Sequence, residues 1–419
     1  MQFFYHLGIY SYIALMSIVS LWNPKAREML KGRRKWRKKV AEKLGEKKSK
    51  RIWFHCASLG EFEMAKPLIE KIKSEQNSIE IIITFFSPSG FLQRKDYECA
   101  GLFYLPFDSH KNAKDWYRIV QPDVAVFIKY EFWLQFMREG LKQSVHMVAT
   151  GVVFREGQFI FEPLASAWRH CLQKFSAIFV QNAASENLGS SEGFTNIMVG
   201  GDTRFDRVLE TVSQAPEIDI VARFKGSDIL CVGGSTWAAE EKLLEEFFQK
   251  NGVPLHRKFL IAPHDVSGKH IEEICSRFFE YGCVKYSDIY AGTDLSKLRF
   301  LVVDSIGLLA QIYRYGDVAL IGGAWGKGLH NILEAAAFGM PILFGPKHQK
   351  HPEAAEALDS GFALECTDFD SFERNLKNTM GNPELRAEMA GKSRDWVRRN
   401  SGVTSKVAAY LGLLLELES

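Results

Sequence analysis

Ser58-Leu59-Gly60-Glu61 places a hydroxyl, a glycine and a carboxylate where a short β-rich run turns into a helical stretch. Two chemistries compete there. The spacing is that of a capping box, in which Ser and Glu side chains satisfy each other's free backbone donors. A carboxylate at such a junction also serves as a general base, provided burial offsets the pKa-lowering pull of the helix N-terminus. Spacing alone leaves Glu61 open between the two. Lys129-Tyr130-Glu131-Phe132-Trp133 directly follows a strand, a place where ligand-contacting residues collect in α/β folds. The alternative for it is solvated charge beside core aromatics.

A third segment is Gly322-Gly323-Ala324-Trp325-Gly326-Lys327-Gly328. Glycine removes side-chain obstruction, so this backbone can approach a ligand closely. A helix expected over His330–Gly339 would then aim its free N–H groups at a phosphate. His330 and Asn331 stand at its start. Glu334, four residues on, shares a face with His330 and can accept hydrogen bonds from ribose hydroxyls. The alternative is a tight strand-to-helix turn capped by Asn331. Gly233-Gly234-Ser235-Thr236 is a similar junction, where Ser235 or Thr236 either caps the helix starting near Trp237 or binds an anion.

These segments need a frame, and the pattern supplies one. Strands are expected at Arg51–Cys56, Ile79–Phe85, Val124–Ile128, Val145–Thr150 and Ala177–Gln181. After a polar stretch near Ser213–Asp219 they resume at Asp228–Val232, Lys258–Ala262, Phe300–Val303, Asp317–Ile321 and Pro341–Phe344. Helical stretches separate them, which implies parallel sheets with helices on both faces. Two doubly wound halves with a cleft between them fit 419 residues better than one core does. The expected limits are residues 51–212 for the first half and 213–385 for the second. Residues 386–419 form C-terminal helices, broken near Asn400-Ser401-Gly402, that cross back to the first half.

The chain's ends and charge narrow the setting. Phe3–Trp22 is an uncharged, mostly apolar run, so residues 1–24 are expected to anchor the chain at a membrane, by spanning it or lying in its interface. Residues 25–50 are a basic juxtamembrane segment. From Lys25 to Arg51 there are 14 Lys/Arg against 3 Asp/Glu, a block drawn to anionic lipid headgroups and held on the cytoplasmic side. The alternative is a buried first helix followed by a solvated charged one. The net charge of +3 is too small to argue for nucleic acid. Seven scattered cysteines without a C-x-x-C pair read as reduced cytoplasmic thiols, and no zinc or iron–sulfur spacing appears. No G-x-G-x-x-G follows the first strand, which argues against a dehydrogenase.

Several ordered segments resemble the 3-deoxy-D-manno-octulosonic acid (Kdo) transferases of lipopolysaccharide assembly, a family with the two-domain GT-B glycosyltransferase fold. They are His55-Cys56-Ala57-Ser58-Leu59-Gly60-Glu61, Thr84-Phe85-Phe86-Ser87-Pro88-Ser89-Gly90, Tyr104-Leu105-Pro106-Phe107-Asp108, Gly234-Ser235-Thr236 and Gly328-Leu329-His330-Asn331 through Gly345-Pro346. The resemblance covers nearly the whole chain. It implies that Glu61 is the base that deprotonates the 6′-hydroxyl of a lipid A precursor (lipid IVA), which attacks Kdo with inversion. Ser235, Thr236, His264, Gly326, Gly328, His330, Asn331 and Glu334 fall at positions for the CMP-Kdo donor. Ser58, Gly60, Lys129, Glu131 and Arg204 fall at positions for the acceptor or Kdo. No metal or other cofactor is implied. The partners implied are CMP-Kdo, a lipid A precursor and anionic lipids at the cytoplasmic side of a bacterial inner membrane.

The chain also departs from the family pattern. E-x-E-L-W-P begins here with Lys129, P-R-H reads Ala262-Pro263-His264, D-x-x-G-E-L has Leu308 for its Glu, and the second Gly of G-G-H-N is Leu329. Two other readings therefore stand beside the first. One is another sugar-nucleotide enzyme of the same fold, such as a UDP-sugar transferase or epimerase. The other is a membrane-associated scaffold without catalysis.

Overall fold

The computed structural model describes residues 2–76, 78–252 and 254–416. Met1 of the expected anchor and 417–419 of the expected C-terminal helices, including Glu418, lie outside the described residues. Two compact units emerge: the chain up to Asp206 joined by the segment from Ser401 on, and Arg207–Asn400. The divisions thus fall at 206/207 and 400/401, against the expected 212/213 and 385/386. The later return has a physical cause. The helix Pro383–Asn400 stays with the second unit, where Trp396 packs on Phe362 and Ser393 donates to the Ala336 carbonyl. Gly402, at φ 91°, breaks the helix there. The helix Val403–Glu416 then buries Val407 and Leu411 in the first unit, and Asp206 caps it by accepting the Gly402 and Thr404 N–H groups.

In the first unit seven strands form one parallel sheet: β1 Arg51–Cys56, β2 Glu80–Phe85, β3 Gly101–Tyr104, β4 Val124–Ile128, β5 His146–Val152, β6 Ala177–Val180 and β7 Ile197–Val199. Their order is β3-β2-β1-β4-β5-β6-β7. β1 and β4 are buried throughout, the near-continuous apolar run of strands covered on both faces. Successive residues feed opposite faces: Trp53 and Phe127 join one core, Phe54 and Val126 the other. The second unit repeats the plan with β8 Ile229–Thr236, β9 Arg257–Pro263, β10 Cys283–Lys285, β11 Phe300–Val302, β12 Val318–Ile321, β13 Ile342–Phe344 and β14 Ala363–Glu365, ordered β10-β11-β9-β8-β12-β13-β14.

The strand order reverses between β1 and β4 in one sheet and between β8 and β12 in the other. Such switch points open crevices at the carboxyl ends of the strands. β1 runs into Ser58–Glu61 and β4 into Lys129–Trp133. β8 ends on Ser235-Thr236 and β12 runs into the glycine loop. Topology therefore delivers all four chemically suggestive segments to crevice positions, two in each unit.

Ahead of β1 lie α1 Gln2–Val19, α2 Pro24–Arg33 and α3 Trp36–Leu44. No described helix is long and apolar enough to cross a membrane. Tyr5 of α1 donates to Asp108, while Leu7, Tyr10, Leu15 and Ile18 are exposed on one helix face. The basic block is not all solvated. Arg33 is only 6% exposed, donates to the Leu105 and Phe86 carbonyls at 2.7 and 2.8 Å, and lies against the Phe86 and Phe107 rings. Burial lowers its pKa to about 10. Arg33→Met keeps the bulk but orphans those carbonyls, and is expected to cost about 1–3 kcal/mol in chemical denaturation.

Candidate active site

Glu61 lies in the first turn of α4, Leu59–Glu75. Ser58 caps this helix, its Oγ accepting the Glu61 N–H at 3.4 Å, and the Glu61 carboxylate turns back onto the Ala57 N–H. The capping role foreseen from the spacing is therefore filled, yet it does not consume the carboxyl. Burial, then the Glu131 carboxylate, raise the Glu61 pKa to about 7, against the opposing pull of the Ala57 N–H, Lys129 and the Ser58 N–H. Gly60 is exposed, and a side chain there would meet the Ser58 Oγ at 4.0 Å, an ordinary contact.

Glu131 is half-buried and accepts from Trp133 Nε1 at 2.9 Å. The same indole N–H lies 3.0 Å from His55 Nε2. With Nε2 accepting, His55 Nδ1 carries the proton and donates to Thr84 Oγ1 at 2.9 Å. Trp53 Nε1 also reaches Thr84 Oγ1, at 2.8 Å. A buried chain thus runs from β1 and β2 to the Glu131 carboxylate and fixes the loop after β4. Asp108 holds the helix that follows, Leu134–Lys142, by accepting the Gln135 and Phe136 N–H groups of its first turn. Lys129 sits at φ 59°, a left-handed conformation uncommon for a side chain of its size. Arg204, in the helix Thr203–Gln214, is held by Asp202 at 2.7 Å, and Thr203 Oγ1 ties this helix to the Met64 carbonyl of α4.

In the second unit the turn after β8 is closed by neither hydroxyl expected to cap it. Glu240 does so, accepting the Trp237 N–H and the Gly323 N–H, both at 2.8 Å. Thr236 is fully buried and donates to Glu241 at 3.2 Å. Ser235, at φ 52°, is the member of the pair with an accessible side chain. Gly322 packs so tightly that a Cβ there would stand 2.1 Å from the Ser235 carbonyl oxygen. Gly326 is exposed, and Gly328 takes φ 119°.

The helix expected from His330 starts later. It spans Leu333–Ala337, and Asn331 Oδ1 accepts the Leu333 N–H while the His330 N–H is committed to the Gly322 carbonyl. His330 and Asn331 therefore belong to the loop, ahead of a helix that is shorter than expected. The His330 Nε2 accepts from Trp237 Nε1 at 3.0 Å, and burial with His264 nearby lowers its pKa. His264 is exposed and stacks on both the Trp237 and His330 rings, at 4.5 and 4.7 Å. Lys327 lies 3.9 Å from the Trp237 ring centroid. Burial raises the Glu334 pKa, with the Asn331 amide opposing at 3.3 Å.

The structure thus gathers Ser58, Glu61, Lys129 and Glu131 in one unit, and Ser235, His264, His330, Asn331 and Glu334 in the other. Sequence reasoning passed over Trp237, Lys327 and Glu240. The available signal was position: an aromatic directly after Gly-Ser-Thr, an acid four residues past that Thr, and the one cation inside the glycine loop. His348 and His351 sit near Glu365 and Glu353 respectively, and among the described residues no cluster of three His, Cys, Asp or Glu is placed to hold a metal ion.

Comparison with known proteins bears on this arrangement. Residues 33–207 match the model of a family described as 3-deoxy-D-manno-octulosonic-acid transferase (Kdo transferase). The 3-deoxy-D-manno-octulosonic acid transferase of Aquifex aeolicus is 24% identical, covering 83% of this chain and 94% of its own. That of Chlamydophila psittaci is 24% identical, covering 80% and 78%. A bifunctional glycosyltransferase/methyltransferase of Fusobacterium nucleatum is 25% identical over 73% of this chain, which spans about half (49%) of that longer protein. Among solved structures, a UDP-GlcNAc 2-epimerase from Neisseria meningitidis superposes with TM-score 0.59 at 12% identity, covering 88% of this chain and all (100%) of its own. The Acinetobacter baumannii MurG gives 0.55 at 15%, covering 86% and 98%. These structures speak to the fold alone. The family match over residues 33–207 and relatives at 24% identity make the chain similar to the Kdo transferases, and its architecture is the GT-B fold of two Rossmann-like, doubly wound parallel sheets.

Proposed function

We propose that the protein moves Kdo from CMP-Kdo to the 6′-hydroxyl of a lipid A precursor such as lipid IVA, with inversion and without a metal. Glu61 takes the hydroxyl proton, the oxygen bonds to the anomeric carbon of Kdo, and the bond to the CMP phosphate breaks with its electron pair. The observation that carries this reading is the Glu61 carboxyl, capped in place yet raised to about 7 by burial and Glu131. A base poised near the working pH is the most effective one. Lys129 offers a cation to the Kdo carboxylate or an acceptor phosphate. The loop of Ser235, His330 and Asn331, with exposed His264 and Lys327, supplies donors to the nucleotide and its leaving phosphate.

The exposed apolar face of α1 and the cationic α2–α3 segment support docking on the anionic cytoplasmic face of the inner membrane, lying in the interface. The test is mass analysis of product formed from a tetra-acylated lipid A precursor. Addition of Kdo from CMP-Kdo is expected. Transfer or epimerisation with UDP-sugars instead would favour the second enzyme reading, which the epimerase-like architecture keeps in view. No turnover of any sugar nucleotide would leave the scaffold reading.

A further inference from the structure

β3 has no strand on its outer side, and at that edge of the first sheet α2, α3 and the helix Pro88–Arg94 border a cavity of about 400 Å³. That volume lies within the roughly 300–1,000 Å³ of small-molecule sites. Its lining divides by chemistry. Val40, Phe91, Leu102 and Phe103 present an apolar wall, and Lys31, Lys39 and Lys43 add three cations against the single acid Glu28. Lys39 and Lys43 stand one turn apart on α3, where two like charges repel unless an anion joins them. Tyr104 also lines the cavity, with a buried hydroxyl that has no hydrogen-bond partner.

A free phosphate would leave the apolar wall unused, and an apolar peptide would leave the cations without a counter-charge. An amphiphile satisfies both. We propose that this cavity seats one acyl chain of an anionic bilayer phospholipid, whose headgroup phosphate meets Lys31, Lys39 and Lys43. The cavity belongs to the segment that directly follows the exposed apolar face of α1, so a lipid at that face is close in the chain to the site. The proposal rests on the membrane-docking reading for the supply of lipid, and on no part of the transfer chemistry.

The test uses the full chain and lauroyl lysophosphatidylglycerol below its micelle concentration, titrated by calorimetry. Binding is expected for the unaltered protein, and not for inorganic phosphate or the uncharged lauroyl glycerol at the same concentration. The pair Lys39→Gln with Lys43→Gln should weaken binding by about twentyfold or more, at about fivefold per lysine. Leu102→Trp, which fills the cavity, should abolish it. The lysines are exposed, so the first variant keeps the proposal testable if the second fails to fold. Unchanged binding by both folded variants would overturn the proposal, as would phosphate competing as well as the lysolipid. Vesicles of phosphatidylglycerol and phosphatidylcholine separate the two readings. Loss of vesicle binding by the unaltered chain defeats the docking reading. Vesicle binding retained with the lysolipid indifferent to both variants defeats the cavity alone.

Discussion

Glu61→Gln is expected to lower kcat by about 10²–10⁴-fold, the usual contribution of a positioned general base. The fold should survive. The glutamine oxygen can still accept the Ala57 N–H, and Ser58 still caps α4. The unaltered enzyme should show an acid limb in kcat with an apparent pKa near 7, because Glu61 acts only once ionised. Stability supplies an independent check. The folded-state pKa of Glu61 is raised above its unfolded value of about 4.5, so the folded protein holds a proton that the unfolded chain releases. Its contribution is fully present below pH 4.5 or so and is lost as pH rises through about 7. The glutamine variant has no such loss. Its Tm relative to the unaltered protein should therefore rise between pH 5 and 8, the opposite of what a carboxylate kept only as a cap would give. A variant with full turnover removes Glu61 from the mechanism, and one whose relative Tm falls between pH 5 and 8 shows that its carboxyl is not raised.

Much of this arrangement was legible in the sequence, and the gaps have a common cause. Every strand foreseen is present. The four left out are β3, β7, β10 and β14, the outer strands of the two sheets. An outer strand has one neighbour and is only partly buried here, so its apolar run is incomplete. Inner strands as short as Phe300–Val302 and Ile342–Phe344 are buried throughout and write unbroken apolar runs. The site followed the same logic. Ser58, Glu61, Lys129 and Ser235 were legible because turn chemistry and strand ends are local. The partners that tune them are not local. Glu131 acts on Glu61 across 70 positions of chain, Trp133 reaches His55 across 78, and Trp237 reaches His330 across 93. Such pairings follow from which strands lie side by side, which spacing does not encode. The helix expected at His330 starts three residues later for a related reason: the His330 backbone is held to Gly322, eight positions back in the chain, and Asn331 takes the Leu333 N–H at the helix start.

Gly322→Ala tests whether the glycine loop is a donor cradle or only a turn. An added Cβ would stand 2.1 Å from the Ser235 carbonyl oxygen and 2.6 Å from the Thr236 Cα, both backbone atoms at the end of a central strand. Neither can swing aside as a side chain would. The conflict is expected to cost about 3 kcal/mol, the upper part of the usual range for overpacking. Relief requires parting the end of β8 from the loop, which strains the Gly322 N–H bond to the Gly234 carbonyl and the seat of His330 on Gly322. In a donor cradle the loss falls on nucleotide binding: CMP affinity should drop well over tenfold at a temperature where the variant remains folded by circular dichroism. Gly326→Ala is the internal control, since the nearest atom to its added Cβ would be 3.9 Å away. It should leave stability unchanged, so any loss of CMP affinity there reports the ligand's own need for space. If both variants bind CMP as the unaltered protein does, the loop is a turn and the nucleotide is held elsewhere.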